Sequence, residues 1–190
     1  MLDLLEPFIL LLVVMDPVVG VSALLSLTKD KKGAERRKIA VKSVLVATFV
    51  FLIFAFGGDV FFKILGVNIY SFRAAGGIIL IIMGIQLTLG ISFPKEKEKV
   101  SEVAVVIGTP LISGPATITT TIILVKDIEL MNTLIAGLSA LFVILLSLLI
   151  ALRINKIIGR NGMRVLSTMM GIVTIAWGLQ FLFTGISGFI

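Results

Sequence analysis

Apolar residues in this chain fall into six long runs separated by short polar intervals. The runs are Leu5 to Leu27, Ile39 to Phe62, Ser71 to Ser92, Val103 to Val125, Thr133 to Ile154 and Arg164 to Phe189. Each approaches the roughly 20 apolar residues that carry an α-helix through a hydrocarbon core. One such run can be a buried helix of a soluble protein, but six in 190 residues leave no room for a soluble domain. The pattern predicts an all-α membrane protein of six transmembrane helices. Gly, Ser and Thr inside the runs fit helices that pack closely in lipid.

Composition agrees with that reading. The chain is 58% hydrophobic and 15% charged, with a mean hydropathy of +1.16, far from the balance of a soluble domain. Cysteine and histidine are absent, which removes disulfides, thiolate nucleophiles, iron–sulfur ligation and most zinc sites. No cofactor or metal is expected. For want of a nucleophile–base pair the chain does not read as an enzyme. Asp3 and Glu6 flank the first run where a cleavable signal wants positive charge, so that run is expected to stay as the first span.

The net charge of +6 invites a nucleic-acid reading until the cations are placed. Lys29, Lys31, Lys32, Arg36, Arg37, Lys38 and Lys42 follow the first run, Lys95, Lys97 and Lys99 the third, and Arg153, Lys156, Arg160 and Arg164 the fifth. Only Lys63, Arg73 and Lys126 lie on the other side. The positive-inside rule puts the fourteen in the cytoplasm and both termini outside, in the cell membrane. The positive charge thus reports topology, and no nucleic-acid partner is expected. The alternating run Lys95-Glu96-Lys97-Glu98-Lys99 reads as a solvated connector.

An internal repeat organises the runs. Gly77, Ile78, Ile81, Gly84 and Gln86 align with Gly171, Ile172, Ile175, Gly178 and Gln180 at one offset of 94 residues. The first and fourth runs match in architecture, with Asp16-Pro17 near the middle of one and Gly114-Pro115 near the middle of the other. Three spans per half is an odd number, so the second half enters the membrane inverted. The predicted organisation is a 3+3 inverted-topology repeat, residues 1–92 and 103–190 around a connector at 93–102. Helices 1 and 4 are discontinuous near the bilayer midplane. Inverted repeats with broken helices recur in secondary transporters, although fold alone does not establish function.

The breaks also hold the candidate chemistry. Asp16 lies about eleven residues into its run, about 16 Å deep at 1.5 Å per residue, near the centre of a core about 30 Å thick. Carboxylates at that depth face a bundle interior or a wet cavity and mark ion or substrate pathways. Asp is equally a good N-cap and Pro a good first helical residue, so the pair also starts a second half-helix. A half-helix starting at midplane leaves amide N–H groups free for an anion. In the fourth run, Gly108-Thr109-Pro110 and Ser113-Gly114-Pro115 rule out a regular helix throughout. Freed backbone groups there must be buried or line a cavity. Asp16, Pro17, Gly20, Ser22, Ser113, Gly114, Pro115, Thr117 and Thr119 are the candidate substrate contacts. Thr119, Thr120 and Thr121 have the alternative of bonding their own i−4 carbonyls.

Outside the breaks, Arg73 is expected to snorkel to the surface, Asp59 to partner Lys63 or the interface, and Gln86 and Gln180 to hydrogen-bond between helices. The opposed half-helices, with positive ends converging beside one carboxylate, suit a small zwitterion. A cation or another small polar solute also fits them.

Met15-Asp16-Pro17 with Leu25-Ser26-Leu27-Thr28, Phe72-Arg73-Ala74-Ala75-Gly76-Gly77, and Pro110-Leu111-Ile112-Ser113-Gly114-Pro115 with Ile118-Thr119-Thr120 resemble the MarC family. The resemblance covers essentially the whole chain. It implies six spans in two inverted halves and, for characterised relatives, proton-gradient-driven transport of small neutral amino acids such as glycine and alanine. One departure stands out. Relatives continue Asp-Pro with Leu-Gly-Asn-x-Pro, whereas this chain has Val18-Val19-Gly20-Val21-Ser22. The resulting expectation is a secondary active transporter of small neutral amino acids with Asp16 as the proton-coupling group, Na⁺ being the other candidate ion. The alternative is an ion channel or cation pathway through the same breaks.

Overall fold

The computed structural model describes residues 4–28, 31–90 and 107–188. The connector at 93–102 and its charged run lie outside the described residues, as do the side chains of Asp59, Lys63 and Pro115. Six α-helices follow in order: α1 (Leu5–Met15), α2 (Pro17–Leu27), α3 (Gly33–Leu65), α4 (Ile69–Leu89), α5 (Pro115–Leu149) and α6 (Ala151–Ser187). A π-helical turn, Ile107–Ile112, precedes α5. No strand occurs among the described residues.

Local chemistry sets the ends. Asn68 caps α4, its side-chain oxygen accepting from the Tyr70 N–H at 3.0 Å, and Gly90 closes the helix at φ +68°. Helix α3 begins six residues ahead of its apolar run, because Glu35, Arg36, Arg37 and Lys38 are good helix formers that need no apolar surroundings. Arg36 turns back to donate to the Thr28 hydroxyl and carbonyl, both at 2.8 Å. It thereby ties the start of α3 to the end of α2.

Among the described residues five segments are long and apolar enough to cross a membrane: Leu5–Leu25, Gly33–Gly58, Ile69–Leu89, Ala116–Leu149 and Asn161–Ser187. The fourth has 34 residues, about 50 Å if straight, against a core of about 30 Å. It is not straight. Glu129 leaves helical geometry at φ 70°, ψ 161°. Ser113 lies against Ala47, and Ile122 against Gly58, while Gly137 lies against Phe51. The chain therefore climbs α3 before Glu129 and descends it afterwards. Counted as one helix or as two limbs, residues 115–128 and 130–149, α5 brings the apolar segments to five or six. Gly159, at φ 69°, bends α6 in the same way between residues 151–158 and the apolar segment.

The broken first span is the most enclosed, 56% buried against 22% for the α4 and α6 segments. It therefore sits centrally. Leu11, Met15 and Leu24 meet Phe51 of α3 and Ile123 and Ile144 of α5 in one apolar core.

Helices α4 and α6 pack most intimately, through glycines. A Cβ on Gly77 would come within 2.5 Å of the Gly178 carbonyl, and one on Gly178 within 2.8 Å of the Gly77 carbonyl. Gly84 and Gly171 face each other likewise, at 2.6 and 2.7 Å. Among the described residues no hydrogen bond joins the side chain of Gln86 or Gln180 to another helix. Gln180 is exposed and Gln86 half-buried. Each stands two residues beyond a contact glycine, about 200° around the helix and so away from the partner.

Candidate functional site

The first break follows from Asp16 and Pro17 together. Pro17 opens α2 at the position where a missing N–H costs nothing, and Asp16 takes the left-handed conformation, φ 41°, ψ 86°. One carboxylate oxygen, Oδ1, accepts from the Val18 and Val19 N–H groups at 2.9 and 3.1 Å. Both free amides of the new helix are thereby satisfied by the residue that starts it. The other oxygen, Oδ2, is buried without a hydrogen-bond partner among the described residues, on a residue only 4% exposed. A buried acceptor left bare is costly. It marks the atom from which a proton, an ammonium group or a cation would gain most.

The second break uses the same backbone device without the carboxylate. The π-helical turn ends with the Ser113 N–H donating to the Gly108 carbonyl at 3.1 Å. Gly108 is required here, because a Cβ would strike the Ser43 carbonyl and Val46 of α3. Gly114 is extended, at φ −74°, ψ −178°, and starts α5 with no side-chain cap. Regular bonding begins with the Ile118 N–H on the Gly114 carbonyl, 3.0 Å. The amides of Ala116 and Thr117, both buried, are left uncapped, and amides at a helix start favour an anion.

Both limbs of the first broken helix, α1 and α2, touch both limbs of the second, the π-helical turn and α5. The two broken helices are thus packed against one another. Ser113 is buried, its hydroxyl donating to the Ala47 carbonyl of α3 at 2.9 Å. Thr117 is buried as well, donating to the Ile112 carbonyl at 2.8 Å. Gly20 is buried beside Leu148, and Thr119 is lodged against Gly76 of α4. Ser22 is exposed and is not brought into the buried group. Of the three consecutive threonines only Thr121 bonds its i−4 carbonyl, that of Thr117 at 2.7 Å. The Thr120 hydroxyl is buried without a partner.

A cleft of about 100 Å³ opens along α2, lined by Pro17, Val18, Val21, Ser147, Ile154 and Met163 among others. Its walls are almost wholly apolar. Arg73 does not snorkel as expected but pairs with Asp127 at 2.5 Å, because the first limb of α5 brings a carboxylate to it. The signal was available in the sequence: two opposite charges on the side that holds few charges. No group of three or more acidic side chains suited to a metal occurs among the described residues.

Comparison with known proteins bears on the whole chain. Residues 2–190 match the family described as MarC family integral membrane protein. A UPF0056 membrane protein of Methanocaldococcus jannaschii is 34% identical over 95% of this chain and 85% of its own length. One from Aquifex aeolicus is 27% identical over 95% and 91%. The UPF0056 inner membrane protein YhgN of Escherichia coli is 27% identical over 97% and 96%. No solved structure matches this chain. With the match spanning nearly every residue and the apolar helices to accompany it, the chain belongs to the MarC family of integral membrane proteins.

Proposed function

We propose that this protein is a secondary active transporter, and not an enzyme, for small neutral amino acids of the glycine and alanine class. It is driven by protons and binds its substrate where the Asp16-Pro17 break meets Ser113-Gly114-Pro115. What supports this reading is a pairing of opposites on two broken helices that pack against one another. A carboxylate oxygen without a partner belongs to one break, and uncapped amides belong to the other. A zwitterion has the complementary groups, an ammonium for Asp16 and a carboxylate for the Ala116 and Thr117 amides.

The organisation proposed for this activity is the 3+3 inverted repeat, with both termini outside the cell. The glycines support it. Gly77 faces Gly178 and Gly84 faces Gly171, while the 94-residue offset carries Gly77 onto Gly171 and Gly84 onto Gly178. Contacts exchanged in this way are the mark of an isologous two-fold relation. Two halves so related can rock about a central site and open it to either side in turn.

Asp16 is the coupling group in this reading. It is the acidic residue at the first break, and no histidine exists to share the task. Purified protein in liposomes preloaded with glycine tests the transport claim. Saturable counterflow of labelled glycine or alanine is expected, and substituting Na⁺ for the proton gradient separates the two candidate ions. Currents that never saturate, with no counterflow, would favour the cation pathway instead.

A further inference from the structure

We propose that the Arg73–Asp127 ion pair is a latch that closes one end of the protein, sealing the junction of the two breaks from the side where α4 begins. The proposal rests on reading that junction as a transport site, and it names the contact that must break for the site to change sides.

Arg73 stands in the second turn of α4, and Asp127 two residues before the bend at Glu129. The pair joins segments 54 residues apart. It is built to open. Only one Arg73 nitrogen, Nη2, reaches one Asp127 oxygen, Oδ1, while Nε is buried without a partner. This falls short of the two-pronged geometry that makes Arg–carboxylate pairs strong. Asp127 is 42% exposed, so water can take over its side of the bond.

A second contact lies directly beneath. Gly76 is three residues from Arg73 and Thr119 eight from Asp127, so each shares a helix face with its latch residue. The Thr119 side chain fills the space where Gly76 has no Cβ. From the break at Gly114 toward the helix ends, α5 therefore meets α4 first at Thr119–Gly76 and then at Arg73–Asp127.

The opposite end is arranged differently. The second limb of α5 runs from Glu129 down to Leu149, about 30 Å at 1.5 Å per residue. The cleft that reaches Pro17 is lined there by Ser147 and Ile154. In this reading the structure is shut at the latch end and accessible from the cleft beside Ser147. Alternating access requires the reverse state, which the intact latch forbids. Loss of the pair should shift the population toward it by the differential stability the pair supplied.

The chain has no cysteine, so single cysteines report access without a background. In Thr119→Cys, a membrane-impermeant maleimide added at the latch end should react slowly. Adding Asp127→Asn should speed the reaction about fivefold, the scale of a partly exposed ion pair, and Asp127→Glu should return it to the slow rate. In a second reporter, Ser147→Cys, labelling from the opposite side should slow when Asp127→Asn is added. General unfolding would instead speed both. Equal labelling of Thr119→Cys by itself, with Asp127→Asn and with Asp127→Glu overturns the latch, as does acceleration at both reporters. Absence of glycine counterflow with the labelling pattern intact overturns the transport reading alone.

Discussion

The two breaks solve one backbone problem in opposite ways. Each starts a helix inside the protein with a proline at the first position, and each must dispose of the amide N–H groups that follow. Asp16 disposes of its own: Oδ1 takes both amides and Oδ2 is left over. Gly114 disposes of none and leaves the Ala116 and Thr117 amides uncapped. A break that caps itself with a charge leaves an acceptor behind, and a break without a cap leaves donors. Under the proposed function the two ends of the site are thereby chemically distinct, which a pair of identical breaks would not provide.

Making the breaks alike should destroy that difference. Gly114→Asp would cap the second break as the first is capped and add a second buried carboxylate. Glycine uptake in liposomes should fall by more than about tenfold, since unpaired buried charge is severely penalised. Asp16→Ala removes the cap and leaves a Cβ-bearing residue without polar compensation at φ 41°. It should destabilise the protein by about 1–2 kcal/mol, seen as a lower melting temperature in detergent.

Smaller changes sharpen the comparison. Gly114→Ser offers the second break a neutral cap, so stability should rise by a few tenths of a kcal/mol, roughly the Ser–Gly difference at an N-cap. The hydroxyl would compete with the substrate for the same amides, so the apparent affinity for glycine should fall about tenfold, as for loss of one charge-assisted hydrogen bond. Smallest of all, Ser113→Ala removes the bond to the Ala47 carbonyl and should cost about 1 kcal/mol. Uptake should change less than about threefold, because that hydroxyl proton is committed to α3.

Much of this architecture could be read from the sequence, for identifiable reasons. The first break was legible because Asp-Pro states both the cap and the first helical residue, and the bend at Glu129 falls in the polar interval between Val125 and Thr133. The second break was legible only as irregularity. Two prolines and two glycines exclude a plain helix over 108–115, but the π-helical turn depends on Gly108 fitting the Ser43 carbonyl of α3, a contact between distant residues. Gln86 and Gln180 misled because equal spacing from Gly84 and Gly178 does not decide which way a side chain faces, and the helix turns theirs away from the glycine face. Arg73 misled because snorkelling describes a lone cation, and its partner comes from a span 54 residues away. Ser22 sits one and a half turns into α2, where the helix carries it out of the junction.

The central claim is that Asp16 both builds the first break and carries the coupling proton, and Asp16→Asn separates the two roles. Asparagine keeps an oxygen for the Val18 and Val19 amides and tolerates positive φ, but it cannot ionise. The measurement is glycine flux in liposomes holding this variant, once as counterflow without a gradient and once as accumulation under an imposed pH gradient. Counterflow that persists while gradient-driven accumulation vanishes is the predicted result. Accumulation equal to that of the unaltered protein would contradict the account.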